Sequence, residues 1–204
     1  RRLKPDVIVY NAAISACEKG AEWHEALRIL WNMQLCRLKP SVVTCSATIS
    51  ACEKGARWHE ALCVVSNVWR RRLERNTIMY NAAISACEKA NEWHRALGLI
   101  SAMHLRCVEP SVITFNAAVL ACARGAQWFE AHRMLLDVQS RFLKPDRITY
   151  LAATSACEAC SQSHEAVALL TDVITTLAPE ARRLSAWRSS QPASSNKNRC
   201  ALVL

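Results

Sequence analysis

The chain has little that breaks or loosens a backbone. Its 204 residues include 4 Gly and 6 Pro, which excludes collagen-like and glycine-rich low-complexity chains. Aromatic residues are scarce at 6% and charged residues make up 21%, yet 51% of the chain is hydrophobic. That apolar fraction is enough to offset the entropy of ordering, so a wholly disordered chain is excluded too. No apolar run reaches the ~18 residues that a membrane-crossing helix needs, and no membrane is expected as a partner. A phosphate-binding glycine loop, His-Glu-x-x-His and Gly-x-Ser-x-Gly are all missing. No catalytic residues, cofactor or small-molecule substrate are therefore expected.

There are 11 cysteines and a formal charge of +9. The cysteine count is odd, the cysteines are not clustered as in small disulfide modules, and no signal peptide precedes them. Reduced, mostly buried thiols are expected. The charge points to an anionic partner such as nucleic acid. However, Arg182, Arg183, Arg188, Lys197 and Arg199 lie in a terminal stretch without an acid, which weakens the pointer for the rest of the chain.

Laid against itself, the sequence repeats at an offset of 35 residues. Asn11-Ala-Ala-Ile-Ser-Ala-Cys-Glu-Lys-Gly20 returns from Ser46, Asn81 and Asn116, and in worn form from Leu151. Cys17, Cys52, Cys87, Cys122 and Cys157 keep the spacing, as do Trp23, Trp58, Trp93 and Trp128. A fixed period of this length means stacked supersecondary units that bury their apolar faces only against neighbours. The units run 7–41, 42–76, 77–111, 112–146 and 147–181, with 1–6 matching the end of a unit and 182–204 a basic tail expected to be disordered. Because it opens inside a unit, the chain is expected to be a piece of a longer array.

Each unit reads as two helices. Ile8, Ala12, Ile14 and Cys17 give a small-residue apolar face, and Lys19-Gly20 is the expected stop. Trp23, Ala26, Leu27, Leu30 and Met33 form one stripe on a second helix of about Glu22 to Leu35. Leu38-Lys39-Pro40-Ser41 closes the unit. The fold class is all-α, a right-handed superhelical solenoid with an inner groove.

Val42-Val-Thr, Val112-Ile-Thr-Phe-Asn116, Tyr10-Asn11, Tyr80-Asn81, Ala26-Leu27, Met33, Met103 and Lys144-Pro145-Asp146 carry a resemblance to the pentatricopeptide repeat, with P-class-like units. The tetratricopeptide repeat lacks the Tyr-Asn opening and places Trp in the first helix. The resemblance implies binding of single-stranded RNA, one base per repeat, in mitochondria or plastids, serving RNA processing, stability or translation. It assigns base reading to the fifth and last residues of each unit: Asn11 with Ser41, Ser46 with Asn76, Asn81 with Ser111, and Asn116 with Asp146. It assigns base wedging to Ile8, Val43, Ile78 and Ile113, and phosphate contact to Lys19, Lys54, Lys89 and Arg124. The implied target is C/U-A-C/U-U, 5′ to 3′. The residues alone leave another use for Asn at these positions, a helix cap or a bond to backbone. A helical scaffold for protein or peptide partners is the alternative function.

The fifth unit has Leu151, Ala159, Ser163, Pro179 and Ala181 at key slots, and is expected to be a cap that binds no specific base. Cys17/His24, Cys52/His59, Cys87/His94 and Cys157/Cys160/His164 could tempt a zinc reading. Two ligands per unit are too few, and no metal is expected. The Trp series is expected to pack between units, and the acidic residues of second helices and turns to face solvent. The deaminase that some family members append needs His-x-Glu with Pro-Cys-x-x-Cys, and neither is present.

Overall fold

The computed structural model describes residues 6–71, 76–141, 143 and 145–160. Residues 1–5, the second half of the fifth unit with Ser163, His164, Pro179 and Ala181, and the tail 182–204 lie outside them, and so do the expectations placed there. Within the described residues there are nine α-helices of 13 residues each and no strands. The first helices of the units are α1 (Val7–Lys19), α3 (Val42–Lys54), α5 (Thr77–Lys89), α7 (Val112–Arg124) and α9 (Arg147–Ala159). The second helices are α2 (Trp23–Leu35), α4 (Trp58–Arg70), α6 (Trp93–Leu105) and α8 (Trp128–Ser140).

First helices start where the last residue of the preceding unit caps them. Asp6, Ser41, Asn76, Ser111 and Asp146 are the N-caps, and each side chain accepts a backbone N–H of the first turn. These are the residue types whose short oxygens reach that donor.

The first helix stops at Lys19-Gly20 as expected, with Gly20 as its C-cap, but the turn that follows does not use the glycine. Gly20, Gly55 and Gly125 keep negative φ, so glycine is not the left-handed residue. That role falls to the next residue: Ala21 (φ 56°), Ala56 (52°), Asn91 (60°) and Ala126 (52°). In the first unit Ala21 N–H donates to Glu18 O and Glu22 N–H to Cys17 O, the double bond of a Schellman ending. Glycine is present for another reason. A Cβ on Gly55 would lie 2.6 Å from Cδ1 of Trp23, and one on Gly125 2.5 Å from Cδ1 of Trp93. The tryptophan of one unit therefore packs onto the end of the next unit's first helix. Arg57 covers the Trp23 ring at 4.4 Å, a cation–π contact. Alanine held left-handed is strained by its Cβ. Ala56→Gly is expected to stabilise the fold by about 0.5–1 kcal/mol and raise Tm by about 1–4 °C. A thermal melt with no rise would show that the turn is unstrained.

Packing runs in two ways. Each first helix packs on the first helices before and after it, and each second helix packs on its own first helix and the next one. Second helices lie farther apart, and meet through side chains such as Arg95 of α6 over the Trp58 ring of α4 at 5.7 Å. Alanines allow the close approach: Ala47, Ala82, Ala83, Ala86, Ala117, Ala118 and Ala121 are buried. Ile14, Ile49, Ile84 and Val119 fill the same slot of successive units and are fully buried, each worth about 1.5–3 kcal/mol against exposure. Of the second-helix stripe, Ala26, Leu30 and Met33 are buried, with Trp23 and Leu27 half-buried against the core. Closer spacing on the first-helix side than on the other bends the stack, so the first helices line the inner face of an all-α solenoid.

Candidate nucleic-acid interface

The first turn of each first helix exposes a branched aliphatic residue. Ile8 is 74% exposed, Val43 65%, Ile78 63% and Ile113 67%. Apolar groups left in water at a fixed period invite a ligand. Ile148 of α9, 60% exposed, continues the row into the unit whose sequence suggested a cap. The other large exposed apolar groups on second helices, such as Trp31, Leu35 and Leu105, do not recur through the array.

Beside each aliphatic, the fifth and last residues of a unit are brought together, and the third residue of the next unit joins them. Thr44 is the link in the first unit. Its Oγ1 accepts the Ser41 backbone N–H at 3.1 Å and lies 2.8 Å from Ser41 Oγ. Its own proton goes to Asn11 Oδ1 at 2.5 Å. A hydroxyl has one proton, so the Ser41 hydroxyl must donate to Thr44.

The third unit closes this circuit. Thr114 Oγ1 donates to Asn81 Oδ1 at 2.5 Å, Ser111 Oγ lies 3.1 Å from Thr114 Oγ1, and Asn81 Nδ2 donates to Ser111 Oγ at 3.4 Å. In the fourth unit Thr149 Oγ1 shares its one proton between Asn116 Oδ1 and, at 2.7 Å, Asp146 Oδ1, while Asn116 Nδ2 donates to Asp146 Oδ2 at 2.7 Å. Asp146 Oδ1 accepts the Thr149 backbone N–H at 2.8 Å. Desolvation pushes the Asp146 carboxyl up, but the bonds from the Thr149 hydroxyl and backbone, the Asn116 amide and the Ile148 backbone outweigh it. They hold it below the ordinary carboxylate value of 3.8, so it stays an anionic acceptor. Asn11, Asn81 and Asn116 therefore bond to a side chain and do not cap a helix, whereas Asn76 caps α5.

The second unit differs. Met79, fully buried, stands where the others have Thr. Ser46 Oγ is buried with no hydrogen-bond partner, and Asn76 Oδ1 turns to the Ile78 backbone N–H at 2.8 Å.

The four basic residues at the ends of the first helices are exposed, but three already have partners in the preceding unit. Lys54 Nζ donates to Glu18 O at 2.7 Å. Lys89 pairs with Glu53 at 3.0 Å and Arg124 with Glu88 at 3.1 Å. The Lys89–Glu53 pair is partly open to solvent, and surface pairs contribute about 0–1 kcal/mol, little enough for a phosphate to displace, whereas Glu88 is buried under Arg124. Lys19 is exposed at the first unit.

The other candidate groups fall into packing roles. Cys52 is fully buried, whereas His59 is exposed with Nδ1 4.0 Å from Cys63 Sγ. Trp23, Trp58, Trp93 and Trp128 pack half-buried against the core.

Sequence reasoning missed the threonines. Their signal was the third slot of successive units, Thr44, Met79, Thr114 and Thr149, but each acts on an asparagine 33 residues earlier. It also missed Glu53 and Glu88, which a comparison of neighbouring units for opposite charge could have found.

Among curated proteins none matches the chain. Solved structures do. The pentatricopeptide repeat protein PPR10 from maize is 25% identical, with a TM-score of 0.66, over 85% of this chain and 25% of that one. PPR10 in complex with an 18-nucleotide psaJ RNA element matches at 19% identity and TM-score 0.69, over 83% of this chain and 24% of that one. The PPR domain of Arabidopsis thaliana protein-only RNase P 1 in complex with tRNA matches at 11% identity and TM-score 0.70, over 87% and 95%. The latter two establish the fold alone, and the chain spans about a quarter of the length of PPR10. The model of the pentatricopeptide repeat domain matches residues 1–54 and 63–124, more than half of the sequence. With this match and a stack of paired helices that joins the fifth and last residues of its units, the chain belongs to the pentatricopeptide repeat family.

Proposed function

We infer that the inner face binds single-stranded RNA, one base per unit, with Asn11/Ser41, Ser46/Asn76, Asn81/Ser111 and Asn116/Asp146 at the base edges. The observation that carries this reading is the repeated pairing of an exposed aliphatic with a preorganised amide and a closing Ser or Asp. Ile8, Val43, Ile78 and Ile113 would separate neighbouring bases. RNA recognition of this repeat type uses two or three side chains per base, and the units supply that many. The RNA in one PPR10 structure adds support from a relative.

Base choice follows from hydrogen-bond polarity. An amide –NH2 suits the O2 acceptor shared by uracil and cytosine. A carboxylate beside it accepts only, which suits the N3–H of uracil and opposes the N3 lone pair of cytosine. The proposed target is C/U-A-C/U-U. Lys19, Lys54, Lys89 and Arg124 would exchange their present partners for phosphates. An organellar role in RNA processing, stability or translation is part of the same proposal and rests on family kinship.

The test is binding of a U-A-U-U RNA, with scrambled RNA and DNA of the same length as controls, at two salt concentrations. Asn116→Ala with Asp146→Ala is expected to weaken binding about tenfold and erase preference at the fourth base. Affinity should fall as salt rises. Unchanged affinity and preference in the double variant would sink the reading. Binding of peptides without RNA would install the scaffold alternative.

A further inference from the structure

The proposed reading surface makes three of its four amide-or-hydroxyl readers differ from the fourth in one respect. Asn11, Asn81 and Asn116 each have Oδ1 bonded to a threonine hydroxyl of the next unit. In the second unit Met79 holds the threonine slot, and Ser46 Oγ has no hydrogen-bond partner among the described residues. We propose that Thr44, Thr114 and Thr149 are specificity-positioning residues that lock each reader's amide in one orientation across the unit boundary, a device that the second unit, with Ser46 and Met79 in these slots, lacks.

A terminal amide has nearly equal ends in shape but opposite hydrogen-bond polarity, so a free Asn can offer either –NH2 or oxygen by rotating its last torsion. Thr114 removes that freedom. Its Oγ1 accepts from the Ser111 backbone N–H at 2.9 Å, lies 3.1 Å from the Ser111 hydroxyl and stands only 2.5 Å from the near end of the Asn81 amide. That distance fits O–H···O and is too short for N–H···O. A flipped Asn81 would press its larger –NH2 into a space that only the oxygen fits. The oxygen is thus turned to Thr114 and Nδ2 to Ser111. Burial makes the lock strong, because Thr114 and Thr149 are fully buried and Thr44 nearly so, and a hydrogen bond shielded from water is expensive to leave unmade. Each threonine also completes or accepts the cap of its own helix. Helix start and base choice are therefore held by the same hydroxyl. In the second unit Met79 supplies no hydroxyl, and the N-cap Asn76 bonds Ile78 instead.

This proposal rests on the RNA reading above, and the experiment separates the two. RNAs of sequence U-A-N-U, with each of the four bases at N, are titrated against the unaltered chain, Thr114→Val and Thr114→Ser. The unaltered chain should prefer pyrimidine at N. Thr114→Val keeps shape and loses the hydroxyl, and should lose about tenfold of the pyrimidine-over-purine preference at N. Preference at the fourth base should stay. Thr114→Ser should restore it, which a purely structural role would not require. Retention of full preference in a folded Thr114→Val overturns the lock. If that variant does not fold, Ser46→Asn with and without Met79→Thr decides. Installing both residues should give about tenfold better pyrimidine selection at the second base than Asn alone, and equal selection overturns the proposal. An unaltered chain that binds no RNA defeats the RNA reading itself, and the lock with it.

Discussion

Tyr80→Ala is expected to destabilise the array by about 3–5 kcal/mol, while the same change at Tyr10 costs far less. Tyr80 is fully buried in α5, between α3 and α7, and its hydroxyl accepts from Trp69 Nε1 at 3.0 Å. Truncation removes the ring, opens a cavity and leaves the indole N–H without its acceptor. Tyr10 occupies the same slot of the first unit but is only half-buried, with its hydroxyl 3.6 Å from Cys36 Sγ. In a solenoid, stability is a sum over units and the contacts between neighbours. Damage at the third unit therefore also uncouples the two sides of the stack. Urea unfolding followed by circular dichroism should show a lower midpoint and a broadened transition for Tyr80→Ala. Equal losses at the two positions would contradict the layered packing described above.

Alkylation at mild alkaline pH should divide the cysteines sharply. Cys52, Cys87 and Cys122 carry thiols raised from 9.0 to about 12. Burial is the main cause, and Glu60, Glu92 and Glu130 respectively push further, against Arg57, Arg95 and Arg133. The reactive species is the thiolate, and three powers of ten separate these values, so about a thousandfold less of it is present. Cys36, Cys63 and Cys107 are exposed and should label first. Mass spectrometry of the labelled peptides gives the order. Labelling of the buried set at the rate of the exposed set, without denaturant, would show that the units open readily.

The residues that recur were the ones the sequence could disclose. The period, the two helices per unit and the Ala26–Leu30–Met33 stripe all follow from side chains that face a neighbour in every copy. So do the meeting points: Asn11 with Ser41 and Asn116 with Asp146 come from a family pattern, and the fold brings each pair to one place. What stayed hidden depends on a relation between copies. Gly55 looked like a helix stop because glycine commonly takes the left-handed turn. Its reason is the Trp23 ring of the unit before, which no reading within one unit contains. Thr114 looked like a consensus letter, and its effect is on Asn81 in the preceding unit. Lys89 and Arg124 looked free for phosphate, and Glu53 and Glu88 meet them from the preceding unit.

The looser spacing of the second helices has a mechanical side. Continuous side-chain contact links α1, α3, α5, α7 and α9, and such contact resists stretch and compression alike. The helices α2, α4, α6 and α8 meet more loosely, through side chains such as Arg95 over the Trp58 ring, so changing their spacing disturbs less of the core. The array is therefore stiff along its inner line and compliant along its outer one, like a strip hinged on one edge. Its curvature can change at small cost while the rise from one reader to the next is held by the first helices. A flexible strand laid along that edge would meet a fixed ruler on a body that still bends.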